Sequence, residues 1–86
     1  MLTSFNMARG LKNWTFREVT KFLQDHGFYL SKIKGSHYFY IKKAEKECIV
    51  EVNFLTGGKS YPPLTMKTMI INSGISEQEW RNWICK

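Results

Sequence analysis

The segment Lys34-Gly-Ser-His-Tyr-Phe-Tyr40 gathers the side chains with the clearest chemical potential in the chain. His37 follows a Gly35-Ser36 pair. Lys32 and Lys34 stand just upstream, and Tyr38, Phe39 and Tyr40 just downstream. A neutral imidazole accepts a proton near pH 7, as a general base must. An ammonium across a tight turn, here Lys34, disfavours the imidazolium and so favours that neutral form. Lysines hold phosphate oxygens, and aromatics beside lysines stack nucleobases as single-strand binders do. The same residues also fit a plainer account, with a half-buried histidine bonded to a backbone carbonyl and aromatics that pack a sheet. The other histidine, His26, falls in the last turn of an expected helix, where a cation is favoured by the dipole, and reads as structural.

Other motifs carry less. Gly57-Gly-Lys-Ser60 looks like the end of a phosphate loop, but position 53, where the pattern needs its first glycine, is Asn. Tyr61-Pro62-Pro63 also intervenes before any helix. A nucleotide P-loop is excluded, which leaves a flexible loop whose Lys59 can touch phosphate. Cys48 and Cys85 are far apart, and neither has a second ligand at zinc spacing. They read as reduced thiols, and no metal or cofactor is expected. No carboxylate pair stands at glycosidase-like spacing, and no Ser-His-Asp signature is visible.

The elements that must position His37 follow from spacing. Thr15-Phe-Arg-Glu18 fits a capping box, and Phe16, Val19, Phe22 and Leu23 recur at helical spacing. Gly27 suits the left-handed exit, so a helix is predicted over 16–26. Residues 28–34 and 37–43 are two aromatic and β-branched runs around Gly35-Ser36. That is a hairpin signal, with Gly at the turn position that needs positive φ. The expected register sets Lys34 opposite His37, Lys32 opposite Phe39 and Leu30 opposite Ile41. Alternation then puts Phe28, Leu30, Phe39 and Ile41 on the core face, with His37 at its margin. Tyr29, Ser31, Ile33, Tyr38 and Tyr40 take the other face.

After a polar turn at 43–47, residues 48–54 read as a third strand with Val50, Val52 and Phe54 alternating against Glu51 and Asn53. A Gly- and Pro-rich loop leads to a helix over 64–74, with Thr65 as cap, Met66, Met69 and Ile70 as apolar stripe and Gly74 as terminator. Ser76-Glu-Gln-Glu79 is a second capping box, opening a short helix with Trp80, Trp83 and Ile84 on one side. The fold class is α+β: α-β-β-β-α with a three-stranded antiparallel sheet, helices on one face, plus a short C-terminal helix.

The chain has 86 residues and a formal net charge of +6, which bounds it to one domain with anionic partners. Residues 1–13 read as a basic lead-in, and 14–86 as the domain. Lys32, Lys34, Lys42 and Lys43 occur with no carboxylate among them, a run that also suits a solvated sheet edge. No apolar run reaches transmembrane length, and no signal-peptide core is visible at the N-terminus. A cytoplasmic protein without membrane contact is expected.

Four pieces in order together resemble the HicA family of mRNA interferase toxins. They are the first helix with His26-Gly-Phe28, the Lys34-Gly-Ser-His37 hairpin, Val50-Glu-Val52, and the Pro62–Ser76 segment PPLTMKTMIINSGIS. The resemblance spans about Thr15 to Trp80. It implies a fold like the double-stranded-RNA-binding domain, ribosome-independent mRNA cleavage, and His37 as the catalytic residue. It also implies a HicB-type antitoxin that binds and covers the site. On that reading Lys32, Lys34, Gly35, Ser36, Lys42, Lys43 and Lys59 contact RNA, and no metal takes part. Many members carry a second histidine where this chain has Asn53, a departure that bears on activity. The competing expectation is a non-catalytic RNA-binding module of the same fold.

Overall fold

A computed structural model describes residues 11–85, so most of the expected lead-in lies outside the described residues. Helix α1 (Phe16–Asp25) opens as its sequence dictates: the Glu18 amide donates to Thr15 Oγ1, and the Thr15 amide donates to Glu18 Oε1. It closes through Gly27, at φ +92°, with the Gly27 amide bonded to Gln24 and the Phe28 amide to Leu23. This double bond pattern satisfies carbonyls left over at the helix end. Val19, Phe22 and Leu23 form the buried face of α1.

Three antiparallel strands follow in the order β1 (Tyr29–Lys34), β2 (His37–Lys42), β3 (Cys48–Asn53). Gly35 takes φ +62° in the two-residue turn between β1 and β2. Next to the turn the register is as expected, with Lys34 opposite His37 and Lys32 opposite Phe39. Further along it shifts: a bulge at Ser31 pairs Leu30 with Tyr40 and Tyr29 with Ile41, not Leu30 with Ile41.

The face assignment of β2 is the reverse of the expected one. Tyr40 is buried and pairs with buried Val50, while half-buried Tyr38 pairs with buried Val52. These residues face the helices. His37, Phe39 and Ile41 point to the open side. Phe28 is buried as expected, but Leu30 is 41% exposed on the edge strand. Two strong aromatics, Tyr38 and Tyr40, outcompete Phe39 and Ile41 because they share parity with Val50 and Val52, on which α1 and α2 pack.

Helix α2 (Pro63–Ser73) buries Met66, Met69 and Ile70 and ends at Gly74, φ +72°. Its cap is Pro62, not Thr65; Pro63 starts the helix one residue earlier than expected, with φ already suited to it. Helix α3 (Glu77–Ile84) opens with the Glu79 amide donating to Ser76 Oγ. The reciprocal contact is not made, because the Glu79 carboxylate turns to His26. Ser73 ties α2 to α3: its hydroxyl donates to Ile70 O and accepts from the Ile75 amide and the Trp80 indole. The core is an aromatic stack, with Trp14 edge-on to Phe22 and Trp80, and Phe22 stacked on Trp80 at 3.9 Å.

Candidate active site on the open face of the sheet

With the helices on one side, the other side of the sheet carries three rows of outward residues: Lys34, His37 and Asn53; Lys32, Phe39 and Glu51; and Tyr29, Ile41 and Ile49. The first two rows are polar and charged around one aromatic, and the third is apolar. His37 therefore sits at the turn end of an exposed surface, with its side chain 47% exposed.

Its neighbours come from both flanking strands. On β1, Lys34 lies directly opposite. Lys32 sets its Nζ over the Phe39 ring at 5.1 Å, a cation–π contact that parks an ammonium on this face. On β3, Asn53 lies directly opposite, and Glu51 reaches diagonally: His37 Nδ1 donates to Glu51 Oε2 at 2.5 Å. Beyond β3, Glu51, Asn53, Thr65, Thr68, Met69 and Asn72 line a shallow groove of about 270 Å³ against α2.

The hairpin end is held from behind. The Phe54 amide donates to Ser36 O at 2.7 Å, so Ser36 serves the turn through its backbone. The buried Tyr61 hydroxyl donates to Asn53 O. Burial raises the pKa of Tyr61 far above its usual value, so it stays a donor. Phe16, Tyr38 and Phe54 make a cluster on the helix side, with centroids 4.9–6.0 Å apart.

The expected site residues separate into two groups. Lys32, Lys34, Gly35, Ser36 and His37 come together at one end of the hairpin. Lys42 and Lys43 do not join them: Lys42 is five residues along the strand, about 16 Å at ~3.3 Å per residue, and its chain passes Gly27 on the helix side. Lys59 lies in the loop after β3, where its amide bonds Thr56 O. Of the aromatics expected to stack bases, Phe39 alone stands on the open face. Tyr40 is buried, and that burial raises its pKa.

His26 is part of the scaffold: Nδ1 donates to Phe22 O at 2.8 Å, Nε2 meets Glu79, and the ring stacks on Phe22. No disulfide joins Cys48 and Cys85. Among the described residues there is no group of three or more His, Cys, Asp or Glu that could hold a metal ion, and no helix long and apolar enough to cross a membrane.

Sequence reasoning missed Glu51. The signal was present in its spacing, two residues before Asn53 and hence on the same face. With His37 assigned to the core side, that relationship was hidden. No family model matches this chain, and no curated protein matches it in sequence.

Proposed function

We propose that this chain is a ribonuclease toxin of the HicA kind, built on a fold like the double-stranded-RNA-binding domain, which cleaves mRNA in the cytoplasm. The observation that carries the reading is His37: half exposed at a hairpin turn, with Lys34 opposite and Lys32 one row away. A histidine placed there serves neither core nor helix end, in contrast to His26.

The chemistry needs a base and a cation. His37 removes the proton of a ribose 2′-hydroxyl, and the oxygen attacks the neighbouring phosphorus. The 5′-oxygen of the next nucleotide leaves and takes a proton, and a cyclic phosphate remains. Lys34 and Lys32 hold the phosphate and stabilise the charge that builds on it. The positive turn at Gly35 lets the backbone approach the RNA closely, and Lys42, Lys43 and Lys59 add salt-sensitive attraction farther out. A HicB-type antitoxin, covering the same open face, is the partner that keeps such a protein harmless.

Growth of cells expressing wild type against His37→Ala, with total RNA followed alongside, tests this reading. Losing a positioned base costs about 10²–10⁴-fold in rate. Wild type arrests growth and depletes mRNA, and His37→Ala does neither although folded. Equal behaviour of the two folded proteins sinks the catalytic assignment and leaves a non-catalytic RNA-binding module.

A further inference from the structure

We propose, building on the reading of His37 as the base, that Glu51 is the positioning residue of this site: it holds His37 in the tautomer that leaves Nε2 as the proton acceptor. An ionised carboxylate only accepts hydrogen bonds. The 2.5 Å contact from Nδ1 to Glu51 Oε2 therefore places the proton on Nδ1 and the free lone pair on Nε2, the ring nitrogen farther from the backbone. An isolated imidazole in water favours the opposite tautomer, with the proton on Nε2. Such a ring would offer its donor, not its lone pair, to a substrate hydroxyl. As Nε2 takes a proton, the positive charge forms beside the Glu51 carboxylate, which stabilises it, as the carboxylate does for histidine in hydrolase triads.

Stability does not account for the pair. Both side chains are about half exposed, 47% for His37 and 49% for Glu51, and such surface pairs contribute about 0–1 kcal/mol. Nor is Glu51 placed to balance a lysine. Its direct partner across β2 is Phe39, and Lys32 lies over that ring. Among the described residues, strand pairing and contact set Lys34 and Lys32 of β1 and Glu51 of β3 around His37, and the α2 side of the groove presents Thr65, Thr68 and Asn72. Glu51 is carried by β3 and the two lysines by β1, on opposite sides of the strand that carries His37.

Two readouts on the full chain test this, in wild type, Glu51→Ala, Glu51→Gln and His37→Ala. The first is the ¹⁵N chemical shifts of the His37 ring at a pH where it is neutral, which report the tautomer without any substrate. The second is the rate of cleavage of an unstructured RNA. The expected result is a proton on Nδ1 in wild type and on Nε2 in Glu51→Ala. Cleavage falls about 10–100-fold in Glu51→Ala, less than for a buried triad carboxylate because water reaches this pair. Glu51→Gln, which keeps an acceptor of the same reach without the charge, falls between. Unchanged melting temperatures show that the fold is intact. A His37 ring whose tautomer is the same in wild type and Glu51→Ala overturns the positioning role, and so does wild-type cleavage by Glu51→Ala while His37→Ala is dead. That second result leaves the histidine reading standing. Wild type that cleaves no RNA, or His37→Ala that cleaves as well as wild type, overturns the histidine reading and takes the positioning role with it.

Discussion

His37 and Asn53 face each other across the β2–β3 ladder. The bond from the Phe54 amide to Ser36 O makes theirs a non-hydrogen-bonded pair, the kind whose Cα atoms come within about 4.5 Å and whose side chains are closest. The backbone of Asn53 is already fixed by Tyr61. A second imidazole at this position would stand beside the first with no change to the strand. The proposed reaction has a base in His37 but no evident acid for the leaving oxygen. Asn53→His should therefore raise RNA cleavage about 10²-fold or more, within the 10²–10⁴-fold range of a well-placed acid. Single-turnover cleavage assays check this, with the double variant carrying His37→Ala expected to stay inactive.

The lysines should differ by position. Lys34 and Lys32 flank His37, so Lys34→Ala should lower the cleavage rate at saturating RNA about 10²-fold, the scale of losing one donor to a developing anion. Lys43→Ala, at the far end of the hairpin, should weaken binding and leave that rate within about twofold. Removing one lysine–phosphate pairing with single-stranded RNA should also flatten the salt dependence by about 0.7 in log–log slope. Cleavage and binding measured across a salt series separate the two groups. Equal rate losses at both ends would place the substrate elsewhere.

Ser73 should matter more to stability than its size suggests. The residue is 3% exposed and its side chain makes three hydrogen bonds, two of them to groups from the loop and α3. Ser73→Ala leaves the Trp80 indole N–H and the Ile75 amide without that acceptor, at a cost of about 1–3 kcal/mol. In a chain of this size that is a drop of about 4–8 °C in melting temperature per kcal/mol. Thermal unfolding followed by circular dichroism reads it directly, and the open face should keep its activity at temperatures where the variant is folded.

Acid should loosen the junction of α1 and α3 through Asp25. The Trp83 indole N–H donates to Asp25 Oδ2 at 2.9 Å, and Lys21 lies 3.1 Å from the other oxygen. These contacts, the indole first, hold the carboxyl below its usual 3.8. A depressed carboxylate contributes stability that is full above its unfolded-state pKa and is lost as pH falls through the folded one. Asp25→Asn should thus melt below wild type at pH 6, with the gap closing as the pH is taken from about 4 downward. A gap that stays constant down to pH 2 would show that the charge plays no part.

The parts of this protein governed by local physics were readable residue by residue. Thr15 and Glu18 cap α1 because their side chains match the orphan amides next to them. Gly35-Ser36 folds the hairpin because glycine accepts positive φ, and Met66, Met69 and Ile70 face inward because their spacing matches a helical turn. That His37 would sit opposite Lys34 followed from the two-residue turn alone. The direction in which His37 points did not. Both parities of β2 are apolar, with Phe39 and Ile41 on one and Tyr38 and Tyr40 on the other. The polar turn at 43–47 does not specify the β2–β3 register, and a one-residue slip exchanges every side chain between faces. Only the packing of α1 and α2 against Val50 and Val52 decided that Tyr40 goes in and His37 goes out. The same decision brought Glu51, remote in sequence, to the His37 ring, since a diagonal contact between strands exists only once the register is set.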